Sequence, residues 1–181
     1  MSPVSNAESL TAISRRIREV PDFPRPGVNF KDITPLLLDP TAFRQAVDLM
    51  TAPFRRVGVS RVIAIESRGF LLGAPIALAL DAGLVPIRKP GKLPGDRGRV
   101  EYTLEYGTDA LEMHRDAVGA ADRVLIVDDV LATGGTAGAA ARLVRAHGAL
   151  VTGVTFLIEL DFLKGRERLR GERVEALLHY T

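Results

Sequence analysis

Val124-Leu-Ile-Val-Asp-Asp-Val-Leu-Ala-Thr-Gly-Gly-Thr136 is the stretch whose reading decides the fold. Val124–Val127 is a run of apolar residues, as for a strand buried on both faces. It ends in two acids, Asp128 and Asp129, followed by a loop of small residues. Gly134 and Gly135 permit close approach of the backbone and positive φ values. Thr133 and Thr136 add hydroxyls. The helix predicted over Thr136–Ala146, with Gly148 as its stop, points its first N–H groups into this loop, which favours an anion. A phosphate monoester suits that cradle, and the upstream acids suit vicinal hydroxyls or a hydrated Mg²⁺. Phosphate and diol together describe a phosphorylated ribose. Neither G-x-x-x-x-G-K-[ST] nor G-x-G-x-x-G occurs in the chain, which sets aside the two commonest nucleotide-loop motifs.

Outward from this stretch, strands and helices alternate. Towards the N-terminus, Val62–Ile65 reads as a buried strand, Glu66–Gly69 as its turn, and Phe70–Ala82 as a helix closed by Gly83. Leu84–Lys89 reads as a strand and Pro90–Arg99 as an exposed loop. Glu101–Tyr106 and Ala110–His114 flank Gly107-Thr-Asp109 as a hairpin. Towards the C-terminus follow a strand at Val151–Ile158, a helical turn at Leu163–Leu169 and a last strand at Val174–Tyr180. Near the start, Val4–Val20 has apolar residues at helical spacing, and Pro21–Gly27 breaks regular structure. Asp39-Pro40 signals a helix start, with Phe43, Val47 and Met50 as its buried stripe, and Pro53 ends or kinks that helix. The alternation predicts an α/β fold with a mainly parallel central sheet flanked by helices. Ligands of such folds lie at the carboxyl ends of the strands, here Glu66–Gly69, Lys89–Gly95 and Asp128–Thr136. With no repeat and no long linker, 1–181 is expected to be one domain, about 1–35 forming a helix and hood segment.

Composition narrows the function classes. The chain has 181 residues, 46% hydrophobic and 25% charged, which excludes low-complexity disorder. No cysteine is present, so disulfides, Cys–Zn sites and thiol nucleophiles are excluded. No apolar stretch is long enough to span a membrane, and no signal peptide is read at Met1–Leu10. The sequence pI is about 9.2, yet the net charge is only +2. The basic residues at Arg15–Arg18 and Arg166–Arg173 alternate with apolar residues or Glu, as on solvated helix faces, so no nucleic-acid partner is expected. His114, His147 and His179 are too scattered to form a metal-ligand pair.

The Val124–Thr136 segment resembles the phosphoribosyl-pyrophosphate (PRPP) signature of the type I phosphoribosyltransferases. Phe23–Pro35, Glu66–Phe70, Ile87–Pro94, Tyr102–Gly107 and Leu163–Glu167 resemble the adenine-specific branch of that family, in its order and spacing. The resemblance implies the type I phosphoribosyltransferase fold with a small N-terminal hood and a mobile loop. It implies transfer of phosphoribose from PRPP to adenine, giving AMP and pyrophosphate in purine salvage. It further implies Mg²⁺ as cofactor, bound through PRPP and water and not directly by the protein. A homodimer in the cytoplasm, with no membrane partner, is implied as well.

Site roles follow from the same resemblance. Ala132, Thr133, Gly134, Gly135 and Thr136 are expected to hold the 5′-phosphate, and Asp128 and Asp129 the ribose hydroxyls. Ser67, Arg68 and Gly69 match the pyrophosphate loop, joined by Arg88, Lys89 and Lys92 at the mouth of the mobile loop Pro90–Tyr102. Val28, Asn29, Phe30 and Lys31 match the adenine-binding segment, where backbone groups read the base edge and Phe30 packs on its face. Glu105 matches the acid that manages the purine proton. Asp96–Arg99 has no family pattern and receives no role.

Overall fold

The computed structural model describes residues 6–104 and 107–181. The chain divides into two compact units, Met1–Leu49 and Met50–Thr181. In the first, helix α1 covers Asn6–Ser14, and strands β1 (Arg18–Val20) and β2 (Phe30–Asp32) pair antiparallel, with Glu19 opposite Lys31. The helix expected over Val4–Val20 thus stops at Ser14, and its end is strand. β1 ends directly before Pro21, whose ring restricts the residue before it to extended conformations. The short helix α2 (Thr34–Leu37) leads to α3, Pro40–Thr51. Asp39 caps α3 as expected: its Oδ1 accepts from the Thr41 and Ala42 amides, each at 3.1 Å. The buried positions of α3 are Ala42, Ala46, Val47, Met50 and Thr51, while Phe43 is only half-buried. Pro53 sits in a 3-10 turn, Ala52–Phe54, that ends the helix.

The second unit carries a five-stranded, wholly parallel sheet. Its strands are β3 (Arg61–Ile65), β4 (Gly83–Ile87), β7 (Arg123–Leu131), β8 (Leu150–Leu160) and β9 (Val174–Tyr180). Their order is β4-β3-β7-β8-β9. After β3 the chain moves to one edge with β4 and later returns to the other side of β3 with β7. The order therefore reverses between β3 and β7, and a crevice opens there at the strands' carboxyl ends. Helix α4 (Gly69–Ala79) packs on β3, β4 and β7. It ends three residues earlier than expected because Asp81, at φ 54°, takes the left-handed conformation. Gly83, expected as the stop, instead opens β4.

Between β4 and β7 lies an antiparallel ribbon, β5 (Arg97–Leu104) and β6 (Gly107–His114). Leu104 pairs with Gly107 and Tyr102 with Asp109, so Gly107-Thr-Asp109 is strand and not the turn expected. The stretch read as an exposed loop is also shorter, since Arg97–Arg99 already pairs with Glu112–His114. Helix α5 (Gly135–Ala146) is narrow all round through its first half, with Ala137, Gly138, Ala139, Ala140 and Ala141 all buried. These small residues let β7, β8 and the ribbon approach, and Tyr102, Leu111 and Met113 join the core of Ile63, Ile126, Leu143 and Phe156.

At the far side of β8, the Phe54 ring occupies the space that a side chain at Gly153 would need, and Arg173 lies 4.9 Å above it. Phe54 is fully buried. Truncation leaves a cavity under a rigid sheet, so Phe54→Ala is expected to cost about 3–5 kcal/mol. Urea unfolding monitored by circular dichroism checks this; a midpoint unchanged from the parent excludes it.

Candidate functional site

The crevice between β3 and β7 is built from two strand ends. β7 carries Asp128 and Asp129 inside its last turn of pairing, ahead of the loop Ala132–Gly134. Asp128 and the residues from Val130 to Ala137 line a small cavity closed on one side by Phe156. Gly134 takes φ +76° and directly precedes α5, whose first N–H groups open on this cavity. Gly69, at the start of α4, lies close enough that a Cβ there would stand 3.0 Å from Asp128 Oδ1. The turns after β3 and β7 therefore face each other.

The two acids are held at a cost. Asp128 Oδ1 accepts from the Asp129 amide at 2.9 Å. Arg68 Nε lies 2.8 Å from Asp129 Oδ2, but off the hydrogen-bonding direction, so that buried oxygen has a charge beside it and no hydrogen bond. Burial, and then the charge of Asp129, pushes the Asp128 carboxyl well above its ordinary range. Burial also raises Asp129, against the pull of Arg68. The two titrate as a pair that holds its proton more tightly than free carboxyls do.

The cations expected at the pyrophosphate end cluster after β3 and β4. Glu66, in the turn that starts with the cis Glu66–Ser67 peptide, receives Arg88 Nε at 3.1 Å, the Lys89 amide at 2.8 Å and the Lys92 ammonium. Burial raises its pKa, but these partners prevail and bring it to about 2. Lys89 Nζ turns to the ribbon, where it meets Asp109 Oδ2 and donates to Tyr102 Oη at 2.8 Å. Burial lowers the Lys89 pKa; Asp109 and Tyr102 more than offset this and leave it raised. Tyr102 Oη lies 3.1 Å from Asp109 Oδ2 and 3.4 Å from Thr136 Oγ1, so it links this lysine to the start of α5. Glu112 accepts from the Gly91 amide at 3.0 Å and pairs with Arg97 at 3.1 Å, which pins the loop mouth.

The structure thus brings together Ser67, Arg68, Gly69, Arg88, Lys89, Lys92, Asp128, Asp129 and Ala132–Thr136 around strand ends of one sheet. Glu66, Tyr102, Asp109 and Glu112 were missed as site residues. Glu66 entered only as part of a turn and of the family-like segment Glu66–Phe70, and no local pattern announces partners 22 to 26 residues away. Val28, Asn29, Phe30 and Lys31 belong to the other unit. There Asn29 Nδ2 and Lys31 Nζ both donate to Glu19, at 2.8 and 2.7 Å, and the Phe30 ring meets Phe23 edge-on at 5.2 Å. Glu105 lies outside the described residues. Glu159, Asp161 and His179 are close enough to share a cation, but Arg166 already donates to both Glu159 oxygens, so they do not fit one.

Residues 58–172 match the family model described as phosphoribosyl transferase domain. The chain is 58% identical over 168 residues to adenine phosphoribosyltransferase of Myxococcus xanthus, covering 93% of this chain and 91% of the relative. It belongs to the adenine phosphoribosyltransferase family. The crystal structure of the enzyme from Rhodothermus marinus superposes with a TM-score of 0.93 at 51% identity, covering 96% of this chain and 99% of that one. The enzyme from Saccharomyces cerevisiae, complexed with an imino-altritol bisphosphate and adenine, superposes with a TM-score of 0.89 at 39% identity, covering 94% and 99%. These likenesses confirm the type I phosphoribosyltransferase fold.

The raised pair yields a prediction about stability. A carboxyl whose folded pKa exceeds its unfolded one favours folding less and less as pH rises above the unfolded value, near 4. Asp128→Asn keeps an oxygen for the Asp129 amide and removes the ionisation. The ligand-free variant should therefore melt above the parent at pH 7, with the advantage fading as pH falls towards about 4. Thermal melts across that range check it; a variant less stable at pH 7 contradicts the reading.

Proposed function

We infer that this chain transfers the 5-phosphoribosyl group from PRPP to adenine, giving AMP and pyrophosphate. The observation that carries the inference is the order of groups along the crevice. An N–H-lined cradle at the start of α5 stands beside two carboxylates, with four cations grouped after β3 and β4. Read along PRPP, these suit the 5′-phosphate, the ribose diol and the pyrophosphate.

In this reading, backbone N–H groups of Ala132–Thr136 and the Thr133 and Thr136 hydroxyls hold the 5′-phosphate. Asp128 and Asp129 accept from the 2′- and 3′-hydroxyls and fix the ribose. Arg68, Arg88, Lys89 and Lys92 take the charge that grows on the pyrophosphate as the C1′–O bond breaks. Adenine N9 attacks C1′ from the opposite face, and the configuration inverts. Val28–Lys31 reads the base through its backbone. The engagement of Asn29 and Lys31 side chains by Glu19 supports a backbone role there. Glu105 takes part in removing the purine proton as N9 forms its bond.

The Asp129 oxygen that accepts no hydrogen bond and the raised carboxyl pair fit a cation-bearing ligand. Asp128 and Asp129 would hold Mg²⁺ through water and through the bound PRPP. When bound, the ion neutralises pyrophosphate charge. The cytoplasm, where PRPP is made, is the proposed location. No helix among the described residues is long and apolar enough to cross a membrane. We also propose a homodimer. Helix α4 is apolar all round, yet Leu71 and Leu78, seven residues apart on one face, are exposed at 48% and 84%. Such a helix calls for cover on both sides.

Two outcomes are expected. Offered PRPP, Mg²⁺ and adenine, hypoxanthine, guanine or orotate in turn, the protein should form nucleotide with adenine alone. A site built around the amino group leaves polar atoms unpaired with an oxo base. Turnover of another base refutes the Val28–Lys31 assignment. Glu105→Gln should lower kcat by about 10²-fold or more while the PRPP KM changes little. An unchanged kcat removes Glu105 from the proton transfer.

A further inference from the structure

The family-like segment Leu163–Glu167 has no role in the reading above, yet its backbone lies against the phosphate cradle. β8 ends at Leu160, and the chain then makes two 3-10 turns, Asp161–Leu163 and Gly165–Leu169. Lys164 joins them at φ 52°, a left-handed conformation unusual for lysine. The second turn lies with its backbone against the backbone of the cradle. A Cβ on Gly165 would fall on the Ala132 carbonyl oxygen and lie 2.8 Å from Leu131 Cδ1. A Cβ on Gly134 would fall on the Gly165 carbonyl oxygen and lie 3.3 Å from the Arg168 Cβ. The two glycines are reciprocal: each removes the side chain that would hold the two backbones apart. The φ of Gly134 also demands glycine, whereas Gly165 has no such demand. Gly165 is required by space alone.

What fixes this turn is an ion pair at the end of the sheet. Arg166 Nε donates to both Glu159 oxygens, at 2.8 and 2.9 Å, and Nη2 donates to Oε2 at 2.7 Å. Its Nη1 donates to the Val174 carbonyl at 3.0 Å. Glu159 belongs to β8 and Val174 to β9, so one guanidinium bolts the turn to two strands. Glu159 is almost fully buried, and this fork satisfies a charge that burial would otherwise penalise heavily. His179 of β9 adds a contact to Asp161 at 3.0 Å, and Leu169 anchors the far end in the core.

We propose that Gly165 and Arg166 are positioning residues for the 5′-phosphate. The Glu159–Arg166 pair holds the 165–169 turn against Ala132–Gly134, and that support sets the direction of the cradle's N–H groups. Without it the glycine-rich loop loses the backbone wall that lies against Ala132 and Gly134. The segment touches no substrate in this arrangement; it acts through the loop. This inference rests on the reading that Ala132–Thr136 hold the 5′-phosphate, and its test separates the two.

The experiment measures binding of AMP, adenosine and magnesium pyrophosphate to the full-length protein by titration calorimetry. The parent, Gly165→Ala and Arg166→Lys are compared, with melting temperatures recorded alongside. Arg166→Lys keeps the charge beside Glu159 and loses the fork, so it guards against a variant that fails to fold. The parent should bind AMP more tightly than adenosine. Both variants should lose AMP affinity by about tenfold or more, as small displacements of a positioned site do. Adenosine and pyrophosphate should stay within about twofold of the parent, as sites that do not couple do. A parent that binds adenosine as tightly as AMP overturns the cradle reading and the proposal with it. A parent that prefers AMP, with variants that keep that preference, overturns the positioning role alone. Equal losses for AMP and pyrophosphate show a general loosening of the fold and also overturn it.

Discussion

A site for a polyanion is, while empty, a cluster of like charges, and this protein's crevice is arranged around that constraint. Every cation gathered at the pyrophosphate end has an internal carboxylate beside it. Glu66 holds Arg88 and Lys92, Asp109 meets Lys89, and Arg68 lies against Asp129. Glu66 remains ionised throughout the working range, its pKa being drawn down to about 2. In the proposed reaction the phosphates of PRPP therefore exchange partners with these carboxylates. Net attraction is smaller than four free cations would supply, and the product pyrophosphate, which carries more charge than PRPP's diphosphate arm, is correspondingly easier to release.

The sheet order explains why these groups can meet at all. β3 lies between β4 and β7, so the turns that follow β3 and β7 share the point where the winding direction reverses. The cations arrive from β3 and β4, the acids and the cradle from β7, and none needs a long loop to reach the crevice. The β5–β6 ribbon adds what the parallel strands lack. It brings Asp109 and Tyr102 to Lys89, and through Tyr102 it touches Thr136 at the first turn of α5. Its strands also contribute to the main core, so it is seated by apolar burial and not by the ion pairs alone.

The parts that were legible in the sequence were those whose meaning is local. Val124–Thr136 states strand, acids, loop and helix in one uninterrupted run, and each of those elements is present. Asp39-Pro40 states a cap, and Asp39 caps. Boundaries were lost where a distant partner decides them. Arg97–Arg99 is polar and looks like loop, yet pairing with Glu112–His114 makes it strand. Gly107-Thr-Asp109 has the composition of a turn, yet the Tyr102–Asp109 register places it in β6. In the candidate site, the groups proposed to face ligand were readable from type and position. Those that hold them, Glu66, Asp109, Glu112 and Arg166, were not, because an acid that neutralises a cation many residues away has no spacing to betray it.

Recognition in this arrangement divides between backbone and side chain. The cradle presents amides, and the glycines at 134 and 165 let a second stretch of backbone fix them from behind. In the proposed base site, Asn29 and Lys31 likewise turn their side chains to Glu19, which is consistent with a base read through the backbone. Backbone groups are hard to move and carry no net charge, which suits features that must be read by geometry. Side chains carry the charge, and charge is what changes as the C1′–O bond breaks. The raised Asp128–Asp129 pair marks the boundary between the two modes. Asp129 is buried and Asp128 half-buried, so both are less solvated than free carboxylates. In the proposed complex, hydroxyl donors of a ribose would supply the hydrogen bond that Asp129 Oδ2 does not accept within the protein. On the proposed reading, the repulsion and desolvation borne by this pair are what a ribose diol would relieve, which ties affinity for the diol to strain built into the two acids.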